Sequence, residues 1–255
     1  AASLTACAES SSFRAYDDLP AVVDVVALGG SNVGGYGIGG ESDAYPALYA
    51  WNLAQEAGVE TRYVAHHTLV DMSNRHIREW NDMLLTDGQL RADLEAAEVV
   101  TIEIGVHTIL LQCGWYTSWT VECLSDAAST LADGYQQLFE TIEQLVSDDT
   151  IVMALNQGLP RPTSEHWRDH PDWEAMKTDG FEAWWKGLDA AAADHGAIVI
   201  DTAHMALDTE PDEYGLSAEY TQPDNAHFNA EGHQLFANLL AAHDTIGPDD
   251  TASLP

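Results

Sequence analysis

Residues 22–35 read VVDVVALGGSNVGG. An apolar, mostly β-branched run, broken only by Asp24, stops at Gly29-Gly30 and then offers Ser31 and Asn32. A near-continuous apolar run bounded by turn residues reads as a strand buried on both faces. Four more segments have the same character: 61–65 (TRYVA), 98–104 (EVVTIEI), 150–155 (TIVMAL) and 197–201 (AIVID). Helical patterns fill the intervals, at 44–57, 73–85, 125–147, 174–195 and 229–242. Strands alternating with helices predict an α/β fold with a parallel sheet covered on both sides. The 255 residues suit one such domain. We expect it to span 21–245, between a tail or tether at 1–20 and a C-terminal tail at 246–255. In such folds a ligand lies beyond the carboxyl ends of the strands, so chemistry is expected just after each strand.

The charge balance removes several classes of function. Lys and Arg number 9 against 42 Asp and Glu, a formal net charge of −33. A field of that sign repels nucleic acid. The acids are spread between ordinary hydrophobic segments, which predicts a folded domain with an acidic, solvated shell rather than a disordered chain. The composition resembles that of proteins from salt-loving organisms, where concentrated salt screens the self-repulsion. An acidic but ordinary exported protein is the plainer alternative. No run of about 18 apolar residues is present to span a membrane. Of the three cysteines, Cys113 and Cys123 flank the loop CGWYTSWTVEC, and a disulfide there fits an exported protein. Cys7 ends the stretch LTAC before a Ser-rich segment, which resembles a bacterial lipobox with Cys7 as the lipidated residue. A bacterial secreted protein or cell-surface lipoprotein is therefore expected, touching membrane only through Cys7.

Two ligands can meet the glycine turn after residue 28. A P-loop is ruled out, since no lysine precedes Lys177. Gly35-Tyr36-Gly37-Ile38-Gly39-Gly40 fits Gly-x-Gly-x-x-Gly, but it begins some seven residues after the strand, and Glu60 precedes the second strand instead of following it. The remaining reading makes Ser31 a nucleophile, which needs a base held by an acid. Asp224 and His227, three residues apart in QPDNAHFNAEGHQLFA, supply that pair. Alone, they read more readily as a satisfied surface pair.

Taken together, ALGGSN, TIEIGVHTI and PDNAHFNAEGHQLFA resemble the motifs of the SGNH hydrolases, the GDSL esterase/lipase family. The resemblance covers about residues 20–240. It implies a three-layer α/β/α, flavodoxin-like fold with a five-stranded parallel sheet, and hydrolysis of acyl esters. It makes Ser31 the nucleophile, His227 the general base and then acid, and Asp224 its orienter. Two motifs depart. The family's Gly-Asp-Ser is Gly29-Gly30-Ser31, and the asparagine of Gly-x-Asn-Asp is His107, within Gly105-Val106-His107-Thr108. No glycine lies between Gly58 and Gly88, where the family places one for its oxyanion hole. The expected donors are thus the N–H of Ser31, an N–H at Val70 or Asp71, and the His107 ring.

Gly30, Asn32 and Gly105 are expected against the substrate, with Trp115 and Trp119 of the cysteine-bounded loop. That loop, which also holds Tyr116, reads equally well as a small local core. His66-His67 are expected to help line the pocket. His166 and His170 read as surface or lid residues, and 158–180 as a pocket wall or lid. No metal and no cofactor are expected. The function expected is cleavage of carboxylic esters, on short acyl chains or acylated carbohydrate, through an acyl-enzyme. Two alternatives stand: a weak or inactive surface binding protein on the same fold, and an acyltransferase using the same triad.

Overall fold

A computed structural model describes residues 14–68, 75–157, 171–203, 220–223 and 227–247. The central sheet contains β2 (Val22–Gly29), β3 (Glu60–His67), β4 (Val99–Glu103), β5 (Ile151–Leu155) and β6 (Ile198–Ile200). Its order is β3-β2-β4-β5-β6 and every pairing is parallel. This is the flavodoxin-like order, with the reversal of strand order at β2 and β4. Gly29 pairs with His67 on one side and Glu103 on the other, so the ends of these three strands are level.

Alternate residues of each strand feed two cores, which is why both faces of the run are apolar. Val26, Leu28, Val100, Ile102 and Ala154 face α2 (Ile77–Thr86), α3 (Gly88–Ala96), α4 (Val106–Cys113), α5 (Val121–Leu145) and α6 (Glu182–Asp194). Val25, Ala27, Met153, Leu155 and Ile200 face α1 (Tyr45–Ala57) and α7 (Ala230–His243). The three-layer α/β/α sandwich follows.

The departures from expectation have local causes. The helix expected from 73 is described from Ile77, because His76 caps it: His76 Nδ1 accepts from Arg78 N (3.1 Å) and Glu79 Oε2 from His76 N (2.7 Å). Helices α3 and α4 were not expected. Asp87 caps α3 through Oδ1, whereas α4 starts at Gly105 with no side-chain cap to signal it. The helix expected over 174–195 is interrupted by a π-helical turn, Met176–Phe181. There Gly180 lies so close to α5 that a Cβ would stand 2.8 Å from Leu124 Cβ. Both segments read as tails contribute structure: β1 (Arg14–Ala15) pairs in parallel with β7 (Ile246–Gly247). Cys113 and Cys123 form a disulfide that ties the end of α4 to the start of α5. Among the described residues, no helix is long and apolar enough to cross a membrane.

Candidate active site

The turn after β2 carries Ser31, half-buried. It winds on directly as a helical turn, with Gly34 N donating to Gly30 O (3.3 Å) and Tyr36 N to Ser31 O (3.0 Å). The turn after β4 carries His107 on the first turn of α4. Gly105 there admits no side chain, because a Cβ would sit 2.4 Å from Trp184 Cζ2 and 2.6 Å from the Tyr135 hydroxyl. His227 precedes α7 in a segment fastened by Gln222 N donating to His227 O (2.8 Å) and Asn229 N to Tyr220 O (3.0 Å). Asn229 then caps α7, accepting from Gly232 N at 2.8 Å. Gly232 is required because a Cβ would lie 2.2 Å from Tyr220 O.

These three turns meet. Phe228 N donates to Asn32 Oδ1 (3.2 Å), which sets the residue after His227 beside the residue after Ser31. The His107 ring lies against Gly30, where a Cβ would be 3.0 Å from its Cε1. The two departures from the family motifs are therefore neighbours in space. Burial, and then the charge of nearby His227, hold the His107 imidazole below the usual histidine range, so it is a neutral single donor at pH 7. The Tyr36 ring packs on His227, with centroids 4.3 Å apart.

Beneath the site lies a carboxylate that the sequence reading did not single out. Glu103 ends β4 and is 3% exposed. Its Oε1 accepts from Asn32 Nδ2 and from Gln157 Nε2, each at 3.0 Å. Tyr45 faces the same carboxyl, and Gln157 Oε1 accepts from Val106 N (2.8 Å). Burial pushes the Glu103 carboxyl up, while these hydrogen bonds and the charge of His227 pull it back. A signal was present: in EVVTIEI, Glu103 is a charge inside an apolar strand, one turn before a motif. His233, on the first turn of α7, is also fully buried. Its Nδ1 accepts from Tyr45 N (3.0 Å), and burial lowers it to about 4.

Some expected site residues have other employment. Both ends of the Asn32 amide, expected against the substrate, are bound within the protein. Trp119, expected at the binding surface, is 2% exposed, packs on Phe181 and donates to Gly114 O (2.9 Å). It belongs to the local core that was the other reading of this loop. Trp115 at the end of α4 is 71% exposed. His66 pairs with Asp93 (3.0 Å) and His67 with Glu41 (3.3 Å). Asp224, Val70, Asp71, Cys7, His166 and His170 lie outside the described residues. Among the described residues, no group of three or more His, Cys, Asp or Glu is arranged to hold a metal ion.

A parallel α/β sandwich with serine and histidine turns at its switch point defines a class of hydrolase frames. The family model of GDSL-like lipases/acylhydrolases matches residues 27–235, and the chain belongs to this family. Membership brings ester hydrolysis as a general chemistry. Among solved structures, a lipase from a goat rumen metagenome is similar at TM-score 0.64 and 18% identity, over 86% of this chain and 96% of that one. A lipase/acylhydrolase from Enterococcus faecalis is similar at TM-score 0.55 and 16% identity, over 86% and 94%. A psychrotrophic esterase from Pseudoalteromonas sp. is similar at TM-score 0.52 and 12% identity, over 86% and 95%. At these identities the likeness is one of fold. Among curated proteins, none matches the sequence.

Proposed function

We propose that the protein is a carboxylic ester hydrolase that works through an acyl-enzyme on Ser31. The observation that carries this reading is the Phe228–Asn32 hydrogen bond, which joins the serine turn to the histidine turn. In this reading Ser31 Oγ attacks the ester carbonyl while His227 takes its proton. Asp224 orients the imidazole. The oxyanion is met by the N–H of Ser31, an N–H at Val70 or Asp71, and the ring N–H of neutral His107. The C–O bond to the alcohol then breaks, and His227 returns the proton to the leaving oxygen. A water, deprotonated by His227, releases the acid by the same steps in reverse. Exposed Trp115 offers a flat apolar surface to an acyl chain or a sugar face. The Cys113–Cys123 disulfide supports an exported protein, and the acidic shell supports work in salt.

The test is hydrolysis of p-nitrophenyl acetate and butyrate by the protein and by Ser31→Ala, from low to multimolar salt. Turnover that rises with salt and falls at least a thousandfold in Ser31→Ala is expected, as for loss of a triad nucleophile (~10⁶ where measured fully). Equal rates for the two proteins, both folded, would overturn the reading. Products analysed with an added sugar acceptor separate hydrolysis from acyl transfer.

A further inference from the structure

Glu103 has no part in the mechanism above, yet it is a fully buried carboxylate at the end of a central strand. A charge there is costly unless polar groups converge on it. Asn32, Gln157 and Tyr45 do so, and the two amides come from turns that follow strands. Asn32 follows the proposed nucleophile, and Gln157 follows β5 and holds the first amide of α4. A carboxylate accepts hydrogen bonds and donates none, so each amide must turn its NH2 towards Glu103. Each amide oxygen is then aimed the other way. That of Asn32 takes Phe228 N, next to His227, and that of Gln157 takes Val106 N, next to His107. One buried group thus sets the direction of two relays. Their far ends are the backbone amides beside the two site histidines.

Resting on the serine hydrolase reading, we propose that Glu103 is a positioning residue: through Asn32 and Gln157 it holds the turns of Ser31, His107 and His227 in mutual register. What the role needs is an acceptor at Oε1, so a glutamine, which keeps one carbonyl oxygen there, preserves it. A side chain of similar length without an acceptor releases both amides. A displacement of about 1 Å at a reacting group can cost ~10² in rate without touching the chemistry itself.

The experiment compares Glu103→Met, Glu103→Gln and Asn32→Ala with the parent protein. It reads kcat and KM on p-nitrophenyl acetate, the rate of Ser31 labelling by a fluorophosphonate, and the melting temperature. Glu103→Met is expected to lose roughly 10- to 100-fold in kcat and in labelling rate, with KM within about threefold. Glu103→Gln recovers most of that loss. Asn32→Ala loses a similar factor, and the Met/Ala double variant is no slower than the worse single one, because both cut the same relay. A folded Glu103→Met with parental kcat overturns the proposal, and so does a Glu103→Gln as slow as Glu103→Met. If Glu103→Met does not fold, parental kcat in Asn32→Ala overturns it. A parent protein inert to both ester and fluorophosphonate removes the serine reading, and this inference falls with it. A reactive parent with indifferent variants removes only the role of Glu103.

Discussion

The two edges of the sheet each bury a carboxyl, and the two are held differently. At the carboxyl edge, Glu103 is bound by side chains from two other strand-end turns. At the opposite edge, where α7 ends, Asp244 accepts from Ile246 N two residues on (3.0 Å) and from the Tyr49 hydroxyl (2.8 Å). Asp244 closes a helix, seats β7 and ties both to α1, whereas Glu103 joins the turns that follow two neighbouring strands. The amino edge also carries a cavity of about 360 Å³ lined by Arg14, Asp18, Asp148, Asp149 and Thr245, without a histidine or an exposed amide turn. What sets the carboxyl edge apart is the convergence of turns from different strands.

Substitutions at the two edges should separate activity from stability. After Ser31 itself, the largest effect is expected at His107: His107→Ala should lower kcat ~10²–10³-fold, the range for loss of one oxyanion donor, with little change in melting temperature. Gly30→Asp restores the family residue but puts a Cβ 3.0 Å from the imidazole. It should cost about tenfold or more by displacing that donor, and addition of His107→Asn should return part of the loss. An additive pair in ester kinetics would break the coupling.

At the amino edge the effects are expected in stability. Burial raises the Asp244 carboxyl from 3.8 to about 6, so its contribution is full below pH 3.8 and is lost as pH rises through 6. His233, lowered from 6.5 to about 4, contributes fully above 6.5 and loses its contribution as pH falls through 4. Between pH 4 and 6 the two slopes oppose each other. Asp244→Asn keeps an acceptor for Ile246 N and removes one slope. Its stability relative to the parent should rise by roughly 2 kcal/mol from pH 4 to 7, read from urea midpoints at each pH. A constant difference would show that Asp244 does not titrate as its burial requires. The smallest effect is expected at Arg62, whose exposed side chain grips Asp24 at 2.7 and 2.6 Å. Arg62→Ala should cost at most about 1 kcal/mol at low salt, less in high salt, with kcat unaltered.

The sheet was legible because β2, β4, β5 and β6 are near-continuous apolar runs, whereas the edge strand β3 (ETRYVAHH) shows only a short apolar centre. Helix α4 was not legible: it opens on Gly105 without a cap, and VHTILLQC continues the apolar character of β4. The β1–β7 pair depends on residues 14 and 246 meeting, which no local pattern encodes. The closeness of Gly30 and His107 needed the Gly29–Glu103 register, so two motif departures that read separately are neighbours in space. Trp119 was ambiguous for a physical reason: an aromatic ring covers a loop and a ligand with the same surface.

The bond from Phe228 to Asn32 joins residues 196 positions apart. In the serine hydrolase reading, the hydroxyl of Ser31 leaves the ribosome well before its base, His227. A serine without a base is a poor nucleophile. Helix α7 must also dock on α1, where His233 takes the amide of Tyr45, before the histidine turn has a seat. On that reading, chains still lacking α7 are unarmed, and translation sets the moment at which the serine becomes reactive.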